Sequence, residues 1–222
     1  MIEKLPIAFV AILIAIMPIT GAVSVINEEA TFLNNTYIRS AILNMPVTPL
    51  SEEEQNGILY MREEEKLARD VYLELYDQIK VPIFWNIAGA EQTHMDSVKL
   101  LIDRYGLVDT ATDEVGSFTN EELQALYDNL IEMGSTSLED ALKVGATIEE
   151  LDILDLEIRT AETEKEDIIQ VYASLMKGSR NHLRSFVRTL ERQGFDYSPQ
   201  YLSQEEFDMI VTSSMETGPY VN

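Results

Sequence analysis

The sequence predicts an all-α protein built as an antiparallel four-helix bundle. Three observations lead to this fold class: Ser or Thr recurs three residues before an acid, apolar residues follow the 3.6-residue period of a helix, and no segment shows the alternation typical of a strand. Each of these pairs, a Ser or Thr and the acid that follows it, precedes an amphipathic run and so predicts a helix start. The pairs are Ser51 with Glu54, Thr119 with Glu122, Ser137 with Asp140, Thr163 with Glu166, and Ser203 with Glu206.

The opposite ends of the helices are also marked. Gly106 and Gly194 each follow a turn that contains an Arg, as expected of C-terminal cap glycines, and Pro82 suits the first turn of a helix. The predicted helices are 51–80, 83–105, 119–133, 137–162, 164–193 and 203–215. Short joins between the long ones favour antiparallel packing. An extra short helix lies in the crossover between the second and third long helices, and another ends the fold.

The N-terminal segment is not predicted to be part of the bundle. No charged residue occurs between Lys4 and Glu28, and residues 5–26 are almost all apolar. Such a run is long enough to cross a bilayer, and its short charged start is also typical of a signal peptide. Either interpretation exports the protein, which is then secreted or anchored to the membrane by this segment. The predicted divisions are a signal peptide or membrane anchor at 1–26, a linker at 27–50 and one helical domain at 51–216.

Composition restricts the classes of function. The chain carries 16 Lys and Arg against 39 Asp and Glu, a net charge of −23. Nucleic acid is excluded as a partner because phosphate binding needs a basic face, whereas cations are favoured. Cys is absent, which excludes disulfides, thiolate metal sites and a cysteine nucleophile. His94 and His182 are the two histidines, so a site that uses imidazole depends on them.

Ionisable side chains interrupt the apolar stripe of every long helix. In chain order they are Glu65, then Glu91 and His94, then Glu149 and Asp152, then His182. A buried unpaired charge costs several kcal/mol, so these residues make sense if they face one another across a cation. Glu91 and His94 form a Glu-x-x-His pair, which directs both side chains toward one point, and bridging carboxylates can hold two metal ions.

The chemistry of these side chains narrows the choice of metal. Carboxylates and imidazoles without thiolates suit iron or manganese, with zinc as an alternative. The competing interpretation is a core without metal, in which His94 hydrogen-bonds Glu91, and His182 hydrogen-bonds a backbone carbonyl or Asp152. Apart from the candidate ligand Glu65, the acidic run 63–65 is interpreted as solvated helix surface.

Four segments carry a resemblance to proteins of the ferritin-like superfamily. They read YMREEEKLARDVY, EQTHM, GATIEELDILDL and GSRNHLRSF. The run from Glu65 to Tyr72 looks like the first-helix motif of rubrerythrins, and Glu91 with His94 resembles their second-helix ligand pair. Together the segments resemble more closely an uncharacterised prokaryotic domain family assigned to the ferritin-like fold, over residues 50–205.

This resemblance implies a ferritin-like bundle with a carboxylate-bridged site for two iron ions. The implied ligands are Glu65, Glu91 and His94 in one half and Glu149, Asp152 and His182 in the other. The position three residues before His182 should be Glu but is Ser179, and serine is a poor metal ligand. The alternatives that helix rotation leaves open are Glu64 in place of Glu65 and Glu150 in place of Glu149.

Two functions therefore follow from the sequence. The first is a di-iron or iron–manganese oxidoreductase that acts on oxygen, peroxide or ferrous ion. Because the chain has no Cys to hold an electron-transfer centre, its turnover would need an external electron donor. The second is a non-catalytic metal-binding or structural module displayed outside the membrane. A homodimer is compatible with both.

Overall fold

A computed structural model describes residues 39–218, and all the regular secondary structure in this range is helical. The helices are α1 Glu52–Ile79, α2 Pro82–Tyr105, α3 Glu121–Gly134, α4 Leu138–Ala161, α5 Glu166–Gln193 and α6 Gln204–Thr212. A short helical segment at 39–43 precedes them. The prediction of an all-α protein is confirmed for this part of the chain, and the six predicted helices all occur close to their predicted bounds.

Local signals set most of the helix ends. Ser51, Ser137 and Ser203 each accept a hydrogen bond from the backbone N–H three residues further on. Gly106 and Gly194 end α2 and α5 with φ of 68° and 82°, a left-handed conformation that glycine adopts without steric cost. These caps satisfy backbone groups that the first and last turns leave without partners.

Two predicted caps are wrong because tertiary contacts use their hydroxyl groups. Asn120, not Thr119, caps α3, and the Thr119 hydroxyl instead donates to Glu63 of α1. No side chain caps α5, which begins after Lys165. The Thr163 hydroxyl instead donates to Glu54 Oε1 of α1 at 2.7 Å. Both threonines therefore fix loops to α1.

The long helices pack as two pairs. α1 lies along α2 and α4 lies along α5, and the pairs meet where α1 contacts α4 and α2 contacts α5. Very short connections join the members of each pair, so these neighbours run antiparallel. α3 packs on α1 and α4, while α6 packs on α5.

Ionisable residues lie between two apolar clusters in the interior. On α1, Met61 belongs to one cluster, Leu67 belongs to the other, and Glu65 falls between them. On α2 and α5, too, the ionisable residues fall between side chains of the two clusters. On α4, Glu149 and Asp152 lie within the stretch that supplies Ile148 and Ile153 to the cluster of Leu67. These ionisable residues therefore form a polar layer in the interior, with apolar side chains on both sides of it.

Buried polar contacts hold the crossover between α2 and α4 against α1. Lys66 Nζ and Asp70 Oδ2 lie 2.5 Å apart, and both side chains are fully buried. Carbonyl groups and an amide of residues 114–117 complete the hydrogen bonding of this pair. Glu63 accepts bonds from the backbone amides just before α3. These contacts fix the face of α1 that points away from the polar layer.

Some predictions concern residues that the structure does not describe. The predicted signal peptide or membrane anchor at 1–26 and the first part of the predicted linker lie outside the described residues. Export and the predicted domain boundaries therefore stay predictions. Within residues 39–218, no helix combines the length and the apolar character needed to cross a bilayer.

Candidate metal centre

Two groups of candidate metal ligands meet in the polar layer, and one carboxylate belongs to both. The first group is Glu65 of α1 with Glu91 and His94 of α2. The second is Glu91 with Glu149 of α4 and His182 of α5. Within each group the ligand atoms lie within 4.8 Å of one another. Each of the four long helices thus contributes at least one of these five side chains.

Glu91 lies between the two imidazoles and directs one oxygen at each. Its Oε2 is 2.8 Å from His94 Nδ1, and its Oε1 is 2.8 Å from His182 Nδ1. Each imidazole nitrogen has a second carboxylate neighbour: Glu65 Oε2 is 3.0 Å from His94, and Glu149 Oε2 is 3.4 Å from His182. The rings stack with centroids 5.5 Å apart. The two halves are therefore similar, and Glu91 joins them.

Several buried oxygens of this cluster have no hydrogen-bond partner. They include both oxygens of Glu91, both of Asp152, and one each of Glu65 and Glu149. The short contacts between Glu91 and the imidazoles are therefore not aligned as hydrogen bonds. A buried polar group without a partner costs about 1–3 kcal/mol, and buried charges are normally paired or bound to metal. Convergent buried oxygens without hydrogen-bond partners fit a metal cation.

The carboxyl groups around Glu91 hold protons more tightly than usual. Burial raises the pKa of Glu65 to about 7, although the charge of His94 opposes the shift. Burial also raises the pKa of Glu149 to about 7, with His182 opposing. The pKa of Asp152 lies well above its usual range because of burial and neighbouring carboxylates. In the absence of metal the cluster keeps protons that a bound cation would displace.

The pKa values of the two imidazoles and of Glu91 shift in the directions expected if the imidazolium and carboxylate charges attract one another. Burial alone would lower the pKa of His182, but Glu91 and Glu149 outweigh it and raise this pKa to about 10. The pKa of His94 is raised well above its usual range in the same way, against burial, by Glu65 and Glu91. Burial opposes ionisation of Glu91, but the two imidazoles outweigh it and lower the pKa of this carboxyl. Without metal, protons shared among the carboxylates and imidazoles therefore balance the charge of the cluster.

Asp152 is the remaining predicted ligand, and Ser179 stands where a glutamate ligand was expected. Asp152 is 1% exposed and lies close enough to Glu65 and Glu149 to interact with their charges, although it belongs to neither three-residue group. The Ser179 hydroxyl donates to the carbonyl of Leu175 at 3.2 Å, so it bonds its own helix. Residue 179 therefore offers no carboxylate to the cluster, whereas Asp152 gives the cluster a fourth buried carboxylate.

The alternative at Glu150 has a different environment. Its carboxylate accepts backbone N–H bonds from Gln200, Tyr201 and Leu202 at 2.9, 2.8 and 2.9 Å. Glu150 therefore anchors the loop between α5 and α6, and Glu149 is the residue that faces His182.

The alternative at Glu64 also points elsewhere. It interacts with the charge of Asp155 on α4, whereas Glu65 Oε2 lies 3.0 Å from His94 Nδ1. The interpretation of residues 63–65 as solvated surface is wrong, since all three glutamates are 3% exposed or less. Each has a different partner, because consecutive positions on a helix point about 100° apart.

With this geometry established, residues 54–214 match the family described as an uncharacterized protein domain (DUF2202). The chain belongs to the DUF2202 family. This match confirms the predicted membership of an uncharacterised domain family.

A relative in an archaeon shares most of the domain. The uncharacterized protein MJ0754 of Methanocaldococcus jannaschii is 55% identical over 178 residues, which are 80% of this chain and 96% of the relative. The crystal structure of hypothetical protein MJ0754 from Methanococcus jannaschii resembles this structure with a TM-score of 0.76 at 55% identity. The similarity covers 78% of this chain and 99% of that chain.

The DUF2202 domain has two further residues beside the candidate ligands, Tyr72 and Gly178. The Tyr72 hydroxyl donates to Glu149 Oε1 at 2.5 Å, while its ring packs against Phe84 and Phe186. Gly178, one turn before His182, lies directly against His94. The segment GSRNH placed a glycine near the second histidine, but nothing in the sequence indicated which side chain approaches it.

We expect Gly178→Ala to displace His94 and to weaken metal binding in the half of the centre that contains it. A Cβ at residue 178 would lie 2.3 Å from His94 Nε2 and 2.4 Å from its Cε1, so the imidazole must move. Changes to residues that orient metal ligands typically reduce affinity about 10–100-fold. Calorimetric titration of the metal-free protein with Co²⁺ measures the loss.

A matched control is Gly89→Ala on α2, where no atom lies within 4 Å of the added Cβ. It should leave Co²⁺ affinity unchanged and slightly stabilise the helix, because alanine favours helix over glycine by up to about 1 kcal/mol. If Gly178→Ala binds Co²⁺ as tightly as Gly89→Ala does, the role assigned to the close approach is wrong.

Proposed function

We propose that the four long helices form a ferritin-like bundle that binds two iron or manganese ions and acts as an oxidoreductase on ferrous ion, oxygen or peroxide. The observation that carries this proposal is the position of Glu91, whose two oxygens face two imidazoles in two otherwise separate ligand groups. A carboxylate shared in this way is the usual link between two metal ions in helical bundles. The proposed ligands are Glu65, Glu91, His94, Glu149, Asp152 and His182.

The charge of the ligand set matches two divalent ions. Four ionised carboxylates, those of Glu65, Glu91, Glu149 and Asp152, carry four negative charges, which two divalent cations neutralise when the imidazoles are uncharged. The donor set is hard oxygen and imidazole nitrogen, which suits iron and manganese, with zinc as an alternative. With one ion bound, the other carboxyl groups would keep protons that a second ion would displace.

The exposure of the ligands indicates where a small molecule would approach. Glu65, Glu91 and Glu149 are fully buried, whereas the side chains of His94 and His182 are each 12% exposed. The imidazoles therefore mark the face between α2 and α5 as the side from which oxygen or peroxide would approach the ligands.

Two bound iron ions would supply a two-electron exchange with oxygen or peroxide. The protein holds the ligands, excludes bulk water from the carboxylates and keeps Glu149 oriented through the Tyr72 hydroxyl. Because the chain has no Cys, repeated turnover requires an electron donor outside it.

Oxidation of ferrous ion tests this function. Metal-free protein loaded with Fe²⁺ under argon should take up two ions per chain, and mixing with oxygen or peroxide should produce ferric absorbance much faster than in buffer. His182→Ala, which removes a ligand from one group, should retain less iron and lose the rapid phase. Fe²⁺ bound at two per chain but oxidised no faster than in buffer would overturn the enzymatic proposal.

Ser179 favours a second function, a non-catalytic metal-binding or structural module displayed outside the membrane. Its hydroxyl bonds its own helix and offers no carboxylate to the His182 half of the centre. In this case the metal content would be one ion per chain, and His182→Ala would leave that content unchanged. The metal would then stabilise the bundle without exchanging electrons.

A further inference from the structure

A second set of carboxyl groups lies beside the metal centre, between α1 and α4. Glu64 is 3% exposed, and its Oε2 has no hydrogen-bond partner. Across the helix interface it lies close enough to Asp155 to interact with the charge of that carboxyl group. Asp155 is partly exposed and accepts a bond from the Tyr60 hydroxyl at 3.4 Å. The pair therefore extends from the interior to the protein surface.

Asp152 connects this pair with the centre. Glu149, Asp152 and Asp155 follow one another at intervals of three along α4, a spacing that places them on one face of the helix. Both oxygens of Asp152 are buried without partners, and the charges of Glu65 and Glu64 act on this carboxyl group. Carboxyl groups thus lie both at the surface end of this face and beside the ligands.

A cationic side chain lies at the surface end of this face. The Arg159 guanidinium stacks over the Tyr60 ring at 5.2 Å, and its charge acts on Glu64. Its Nε is buried without a hydrogen-bond partner. A long, partly exposed side chain in this position can neutralise the outer carboxylates and can also move aside for a competing cation.

We propose that Glu64 and Asp155 bind a divalent cation transiently at the face between α1 and α4 and pass it through Asp152 to the metal centre. This inference rests on the proposed metal centre and adds the route by which the centre is loaded. It assigns Glu64, a buried acid without a role in either ligand group, to cation transfer. The face between α2 and α5, where the imidazoles are exposed, then remains available to the small-molecule oxidant.

The rate of metal uptake tests the route separately from the centre. We would mix the metal-free full chain with Co²⁺ in a stopped-flow instrument and follow the visible absorption of the bound ion. Glu64→Gln and Asp155→Asn keep side-chain shape but remove charge, and each should slow uptake about tenfold, since local charge raises cation on-rates by 10-fold or more. Both should still reach the wild-type end point of two Co²⁺ per chain.

Glu157→Gln is the matched control, because Glu157 is an exposed acid on the same helix, two residues beyond Asp155. It should load at the wild-type rate. Wild-type rates in both Glu64→Gln and Asp155→Asn would overturn the route and mean that the pair is only two neighbouring acids. A lower end point in Glu64→Gln would also overturn it, because Glu64 would then be a ligand of the centre. If the wild-type protein itself takes up no Co²⁺, the proposed centre fails and not merely its route.

Discussion

Replacement of Glu91 by Gln should leave both halves of the centre without metal. Glu91 directs one oxygen at each imidazole, and Gln offers a single carbonyl oxygen without charge. Glu65→Gln and Glu149→Gln each remove a ligand from one group only. Each of these variants should therefore keep one tightly bound ion. The loss of affinity in Glu91→Gln should exceed the roughly 10–100-fold typical of residues that only orient ligands.

Metal content after reloading with Mn²⁺ or Fe²⁺, measured by elemental analysis, gives the comparison directly. The matched control is Glu150→Gln, since Glu150 is equally buried but accepts three backbone N–H bonds instead of facing the imidazoles. It should lower the free energy of unfolding by about 1–3 kcal/mol and keep both ions. A Glu91→Gln protein that keeps one ion would show that Glu91 belongs to one half only.

The helices could be predicted because their signals are local. A serine cap or a C-terminal glycine acts on backbone groups within one turn, so Ser51 and Gly194 mark their helix ends without knowledge of the rest of the fold. Thr119 and Thr163 show the limit of this reasoning. Their sequence context is that of a cap, but carboxylates brought close by the fold compete for their hydroxyls.

The polar layer was visible in the sequence for a similar reason. An acid in an apolar stripe is conspicuous, so Glu65, Glu91 and Glu149 could be picked out together with the two histidines. Glu64 could not be given its environment, because it lies at the edge of a stripe and its partner is 91 residues away on another helix. Periodicity gives the direction of a side chain relative to its own helix, but not what that side chain meets.

Stability should depend on pH in opposite senses with and without metal. In the metal-free protein, Glu65 and Glu149 keep protons up to a pKa of about 7, whereas the unfolded chain releases them near 4.5, the ordinary pKa of a glutamate. His182 keeps its proton up to about pH 10, whereas an unfolded His releases it near 6.5. The folded state therefore binds more protons than the unfolded state between about pH 4.5 and 10, and stability falls as pH rises through this window.

For one such carboxyl taken alone the effect is on the order of 3 kcal/mol. Metal must displace the same protons, so its binding strengthens with pH, and the loaded protein should become more stable between pH 5 and 8. Urea unfolding at pH 5, 6.5 and 8, in chelator and in saturating Mn²⁺, measures both slopes. Glu91 does not change the sign, because its lowered pKa affects stability only below about pH 4.5. Slopes of the same sign in chelator and in Mn²⁺ would mean that these protons and the metal do not share one site. Opposite slopes that become alike in Glu91→Gln would tie the metal to the carboxylate that joins the two halves.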